Sequence, residues 1–375
     1  MLSNVSPLIR GFSLPLCLCL IMLYCSIGGA AMEMIEEKGE NYHIFHPYPE
    51  YKDKPRLIAP PNEWIESYLD FFHYIDPKTE NPNSLGSPRV RAENAYLEML
   101  KNFLLGYSFE GVDKTIDGKP GRKPVRLGDL HLLRRERGQD WPWLGFTMAG
   151  ELRLKSARAM LTELQENGIE GDFMETGVWR GGTSIFSRGV LSIFGDEKTR
   201  NFVCDSFAGL PPSVKVLDPS AWDNTPYLEV STDEVAKNFQ RVSLLTPQVV
   251  FVKGFFNNTM PPLKKYVKKL KILRLDGDMY QSTADVLYHF YENVAIGGYV
   301  IIDDWRLDAK SACWDFFRHN KFLPAVQRPD TVSAYWKKTV EVEVRKDLYD
   351  KGPHAIRWKR GKKPKYNSRE MEGKF

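Results

Sequence analysis

The sequence predicts an α/β fold built on a mostly parallel sheet, and three observations carry that prediction. Short apolar runs alternate with helical patterns from Asp172 to His319, the rhythm of strands joined by helical crossovers. The first run, Glu170 to Glu175, passes into a glycine-rich turn, Thr176-Gly-Val-Trp-Arg-Gly-Gly182. Such a strand-to-helix turn lets the backbone approach a ligand closely. Later runs end in polar or glycine residues: Asp205-Ser-Phe, Lys253-Gly-Phe, Asp276-Gly-Asp and Asp303-Asp-Trp. Ligands of these sheets bind beyond the carboxyl ends of the strands, where these residues would gather.

In chain order, Arg10 precedes an apolar run from Leu14 to Tyr24, followed by small residues through Ala31. Residues 1–31 thus read as a secretory signal peptide or signal anchor. Either one delivers the folded part to the secretory pathway, meaning the ER or Golgi lumen, membrane-anchored or secreted; a start near Met32 would leave it in the cytosol. Residues 32–61 are polar, aromatic and proline-dotted without a sustained period, as a linker would be. Residues 62–139 form a helical cap and loop. Its helices run from Asn62 to about Ile75 and from about Val90 to Leu105, the second with Tyr96, Met99, Leu100 and Phe103 at helical spacing. The stretch Arg137 to Gly150, with two tryptophans and no period, is a clasp or a lid.

The main domain covers 140–345. A helix carrying Leu154, Ala157, Leu161 and Leu164 on one face ends at Gly168. Strands follow at 172–175, 201–205, 249–252, 271–275 and 299–302. The clearest helices between and after them span 183–194, 283–294 and 309–319. The alternation of Val340, Val342 and Val344 suggests an antiparallel edge between Val332 and Val344. Residues 346–375 are a basic tail.

With 375 residues and 42% hydrophobic content a large core is assured, and a formal charge of +4 is too small for this length to argue for nucleic acid. Only Cys204 and Cys313 lie beyond the N-terminal run, each inside a regular element, so they are core residues rather than a disulfide framework or zinc site.

The candidate chemistry sits at the strand ends. Glu175, with the backbone of Thr176, Gly177, Trp179 and Gly181, suits a ligand with an amino-acid end, and Asp205 with the adjoining Ser206 suits ribose hydroxyls. Gly254 and Phe255 would meet a base. A cofactor with these parts is S-adenosylmethionine. Asp276, Asp278, Asp303 and Asp304 end two neighbouring strands, and converging negative charges repel unless a cation lies between them. Mg²⁺ held by Asp276, Asp303 and Asp304 is the expected answer, with Asp278 left mainly to capping the next helix or to support. The ion would orient an acceptor hydroxyl and lower its pKa, and Asp276 would take the proton.

The stretches Glu170-Gly-Asp-Phe-Met-Glu-Thr-Gly-Val-Trp-Arg-Gly-Gly182, Asp205-Ser-Phe-Ala-Gly-Leu-Pro-Pro212, Lys253-Gly-Phe-Phe-Asn-Asn-Thr-Met-Pro261, Leu275-Asp-Gly-Asp-Met-Tyr280 and Gly298-Tyr-Val-Ile-Ile-Asp-Asp304 together resemble the macrocin O-methyltransferase family. The resemblance runs from about Asp140 to Lys338. It implies a Rossmann-like class I methyltransferase fold: a mostly parallel seven-stranded sheet with helices on both faces, here joined by the N-terminal helical cap. It also implies S-adenosylmethionine and Mg²⁺ as cofactors, with Thr147 and Met148 closing over the former. Gln281 stands where this family more usually has Glu. The N-terminus, the segment before Asp140 and the tail are not family features, which turns the expected acceptor from a macrolide sugar to a glycan, glycolipid or small hydroxylated metabolite. Further partners are a membrane, through the N-terminal segment, and a second copy in a homo-oligomer. A nicotinamide-dependent oxidoreductase would need a tighter glycine turn and leaves the aspartates unexplained; a non-catalytic lumenal binding protein is the other alternative.

Overall fold

The computed structural model describes residues 34–52, 88–109, 111–116, 123–213, 217–218 and 225–352. The N-terminal signal or anchor, the helix expected at 62–75 and the tail from 353 onward lie outside the described residues. The strands are β1 (Glu37–Lys38), β2 (His43–Phe45), β3 (Lys114–Thr115), β4 (Val125–Arg126), β5 (Asp172–Thr176), β6 (Asn201–Asp205), β7 (Val249–Lys253), β8 (Leu270–Leu275), β9 (Val294–Ile302) and β10 (Ala334–Lys337). Eight of them form one sheet in the order β1-β2-β7-β6-β5-β8-β9-β10, and β3 pairs with β4 separately.

The five central strands are mutually parallel. Chain order runs outward from β5 through β6 to β7, then resumes at β8 on the other side. The switch point therefore lies between β5 and β8, where a crevice opens beyond the strand ends. Side chains alternate between two cores. Met174, Phe202, Val250 and Leu273 face the helices Phe256–Leu263, Tyr280–Phe290 and Asp308–His319. Phe173, Val203, Phe251 and Ile272 face the helices Pro88–Leu105, Gly150–Glu166, Gly182–Ile193 and Thr232–Arg241. Both faces are covered, which is why the strands read as continuous apolar runs. Cys204 and Cys313 are buried and free, as expected.

The expected α/β class with helices on both faces stands, with two differences in detail. Part of the expected linker is a hairpin: β2 pairs antiparallel with β7, setting the fully buried Ile44 opposite Val252. Strands of two and three residues are too short to show a period. They extend the sheet beyond seven strands. Second, the antiparallel edge is β10, with Ala334 opposite Ile302. Val342 and Val344 are buried from irregular backbone, and the Val344 N–H donates to Glu292 rather than to a strand.

The stretch from Arg137 to Gly150, expected as a clasp or a lid, is tied to both the cap and the main domain. Its backbone bonds Ile116 N–H to Trp141 C=O at 3.0 Å, Phe146 N–H to Leu104 C=O at 2.6 Å and Gly182 N–H to Phe146 C=O at 2.9 Å. Arg180 donates to the carbonyls of Trp143 and Gly145 at 2.9 and 2.8 Å. The cap helix Pro88–Leu105 shares the core of the main domain through Leu97, Leu100 and Leu104.

Candidate active site

The glycine turn is shaped by backbone crowding. Gly177 has φ +90°, and a Cβ there would overlap the Asp276 carbonyl oxygen, so only glycine lets the end of β5 lie against the end of β8. Trp179 adopts φ +49°, a left-handed conformation uncommon for a bulky residue. The Asp205 carboxylate holds it there, accepting from Val178 N–H at 2.8 Å, Trp179 N–H at 3.4 Å and Phe207 N–H at 2.8 Å. Burial pushes the Asp205 carboxyl up, and these N–H donors oppose the shift. Trp179 in turn donates its indole N–H to Tyr227 C=O at 2.9 Å, with Arg180 lying 4.2 Å over its ring.

A cavity of about 360 Å³ opens beyond these strand ends, within the usual range for ligand sites. Of the residues expected to bind a cofactor, Met148, Gly177, Trp179, Asp205, Ser206 and Phe255 border it. The others stand behind it. Glu175 is 1% exposed and accepts from Ser184 and Arg274, because every residue of β5 is covered; it does not border the cavity. The Thr176 hydroxyl donates to Arg274 C=O at 3.3 Å, and Thr147 accepts from Ala149 N–H at 3.0 Å. Gly181 precedes the first turn of helix Gly182–Ile193 at φ +85°. Gly254 is backed by the N-terminal hairpin, whose Asn41 carbonyl would sit 2.6 Å from an added Cβ.

At the ends of β8 and β9, Asp276, Asp303 and Asp304 bring one carboxylate oxygen each within 4.8 Å of one another. The protein itself supplies part of the countercharge. Arg274, 2% exposed, bonds Glu175, Asp276 (2.8 Å) and Asp303. Arg153, from helix Gly150–Glu166, bonds the other Asp303 oxygen and Asp330 (2.6 Å). Charge repulsion alone therefore does not demand an ion, contrary to the sequence argument. Negative charge still exceeds positive. Burial pushes Asp276 up to about 6, Arg274 opposing, and Asp278 up to about 7, with Asp276 adding to the effect. Asp304 is raised by burial and then by Asp278, and Glu175 reaches about 7 because burial outweighs Arg274.

Asp278 is not a helix cap. It sits at φ +58° and its N–H donates to Asp304 at 2.9 Å, while Tyr280 N–H at the start of the next helix is taken by Asp218 at 2.5 Å. Arg153, Arg274 and Asp218 are absent from the sequence reading. Arg274 had a usable signal: an arginine in the apolar run Leu270-Lys-Ile-Leu-Arg-Leu275 must find a partner if that strand is buried.

A sequence model described as macrocin-O-methyltransferase (TylF) matches residues 93–338. The 8-demethyl-8-(2,3-dimethoxy-alpha-L-rhamnosyl)-tetracenomycin-C 4'-O-methyltransferase of Streptomyces olivaceus is 34% identical over 259 residues, 66% of this chain and 94% of that protein. The mycinamicin III 3''-O-methyltransferase of Micromonospora griseorubida is 34% identical over 213 residues, covering 55% and 83%. Among solved structures, that of the O-methyltransferase NovP matches with a TM-score of 0.58 and 31% identity, over 66% of this chain and all 100% of that one. With its switch-point cavity and acid-lined strand ends, the chain belongs to the macrocin O-methyltransferase family and is an S-adenosylmethionine-dependent O-methyltransferase.

Proposed function

We propose that this chain uses Mg²⁺ at Asp276, Asp303 and Asp304 to methylate a hydroxyl of a sugar, glycoconjugate or small hydroxylated metabolite. The observation that carries the reading is the convergence of these three carboxylates at the strand ends beside the cavity, with Asp276 on the cavity wall. Hard oxygen donors suit Mg²⁺, and carboxyls raised by burial and by one another gain from a divalent charge. The relative from Streptomyces olivaceus is named for a position on a rhamnosyl-bearing compound, which supports a sugar as acceptor.

Bound there, Mg²⁺ would make an acceptor hydroxyl more acidic and fix its direction. The chain's own residues do the remaining work, because methyl transfer profits mainly from positioning. Arg274 and Arg153 hold Asp303 from both sides, and Arg274 ties it to Asp276. Asp276, with a carboxyl near 6 and its side chain 30% exposed, can take the hydroxyl proton. Met148 and Trp179 border the cavity and keep the cofactor in place.

The apolar run at 14–24 supports delivery to the secretory pathway. Among the described residues no helix is long and apolar enough to cross a membrane, so anchoring would rest on residues 1–31. Fractionation with an antibody to the C-terminus tests this; a purely cytosolic product would overturn it.

The metal reading is tested with Asp304→Asn. The variant should bind S-adenosylhomocysteine as the wild type does, yet lose Mn²⁺ binding measured by paramagnetic resonance and Mg²⁺-dependent labelling of a panel of methyl glycosides. Unaltered Mn²⁺ binding in the variant would sink the assignment.

A further inference from the structure

The family match ends at residue 338, but the chain continues and folds back onto the site. Residues 344–349 lie along the helix Tyr280–Phe290 and the turn after it. Val344 N–H donates to Glu292 at 3.1 Å and Lys346 pairs with the same carboxylate at 2.9 Å. The Tyr349 ring stacks on Tyr288, centroids 5.3 Å apart, and meets His289 edge-on at 5.1 Å. Thus anchored, Tyr349 donates its hydroxyl to Asp285 Oδ1 at 2.5 Å, and Gln281 Nε2 donates to that same oxygen at 2.5 Å. Asp285 is 4% exposed and lies on the cavity wall. Its Oδ2 has no hydrogen-bond partner among the described residues. This oxygen is not sealed off from solvent: it is open to the cavity, where water or a bound ligand supplies its donor.

The residues that share the cavity wall with Asp285 say which donor fits. Moving outward from the switch point, the strand ends present the glycine turn after β5, then Asp205 after β6, then Phe255 and Phe256 after β7. An extended cofactor laid along them has its amino-acid end at the turn, its ribose near Asp205 and its base beside the phenylalanines. Asp285 borders the same cavity from the helix packed beside Phe256–Leu263, as does the apolar Met279. Apolar walls with one polar edge match a heteroaromatic base, whose faces are apolar and whose edge carries the hydrogen-bonding groups.

We propose that Asp285 accepts a hydrogen bond from the exocyclic amino group of the cofactor's adenine, and that Tyr349 is a positioning residue supplied to this contact from beyond the family match. The proposal rests on the cavity being the S-adenosylmethionine site. Tyr349 and Gln281 both occupy Oδ1, fixing the side chain and leaving Oδ2 for the ligand. Burial has pushed the Asp285 carboxyl up to about 6, so a ligand donor also helps to keep it ionised at neutral pH.

The test is calorimetric binding of S-adenosylhomocysteine and of S-inosylhomocysteine, which carries a carbonyl oxygen in place of the amino group, to the full chain. The wild type should favour the adenine ligand by roughly 100-fold or more, as sites built around a hydrogen bond do. Asp285→Asn offers an amide that can donate to the carbonyl, and should shrink the ratio to about tenfold or less. Tyr349→Phe should lower it by about threefold to tenfold. A general loosening of the fold would weaken both ligands alike and leave the ratio unmoved. An unchanged ratio in both variants overturns the proposal; a ratio lost in Asp285→Asn but kept in Tyr349→Phe overturns the part given to Tyr349. Should Asp285→Asn fail to fold, Tyr349→Phe, which removes a single hydroxyl, decides. Binding of neither ligand by the wild type would instead remove the cofactor-site reading beneath it.

Discussion

The glycine turn and the acidic rim close on the same cavity from adjoining strands, yet they are built by different means. The turn is a backbone object. Gly177, Trp179 and Gly181 fix its path by their dihedral angles, and the Asp205 carboxylate on the next strand satisfies its N–H groups. The rim is a side-chain object, in which Asp303 is neutralised by Arg274 from β8 and by Arg153 from a helix 150 residues away in sequence. The turn depends on shape and the rim on charge balance. The two should therefore fail differently when disturbed.

The largest expected effect is at the rim. Arg274→Met leaves Glu175, Asp276 and Asp303 without their shared guanidinium and should destabilise the fold by about 3–5 kcal/mol, the cost of breaking a buried ion pair from one side. Urea denaturation measures it. A loss below about 1 kcal/mol would mean that the rim acids are already neutral and the contrast with the turn is false. Next comes Gly177→Ala, which forces a Cβ onto the Asp276 carbonyl at a positive φ and should cost about 2–3 kcal/mol. Here S-adenosylhomocysteine affinity should fall along with stability, since the turn cannot move without moving the cavity wall. Full affinity in a stably folded variant would show that the turn does not shape the site.

The smallest effect is a pH dependence. Glu175 titrates near 7 in the fold against an ordinary value of 4.5, so between those values the native state holds more protons than the unfolded chain. Stability from this group is present below about 4.5 and lost as pH rises through about 7. Compared with Glu175→Gln, the wild type should lose stability over that interval, read as a falling difference in urea midpoint. A difference that rises with pH would reverse the sign of the charge imbalance assigned to the rim.

These contrasts also explain what the sequence disclosed. The five parallel strands were legible because both faces are buried, and the strand β6 falls where the sequence predicts it, at 201–205. The turn was legible because only glycine tolerates its dihedrals. The three aspartates were legible as a cluster because strand ends converge at a switch point. The partner of Glu175 was not legible, because a strand end does not reveal which way a single side chain leaves it; here it turns to Arg274 in the interior. Arg153 was hidden among surface-like charges of an amphipathic helix, and its partner Asp330 lies in a loop with no period to mark it. The hairpin strands β1 and β2 were too short to register, and Val340, Val342 and Val344 mimicked a strand although β10 had already ended at Lys337.

The hairpin has a practical consequence for anyone trimming the chain. Residues 93–338 carry the family match, and cutting there would look like a tidy minimal enzyme. It would also strip β2 from β7, leaving a row of unpaired N–H and C=O groups along Val249–Lys253 with apolar side chains on either side. Bare strand edges of that kind recruit other copies. Solubility of the shortened fragment would then be governed by intermolecular strand pairing rather than by its active site, and residues 37–45 belong in any version intended for study in solution.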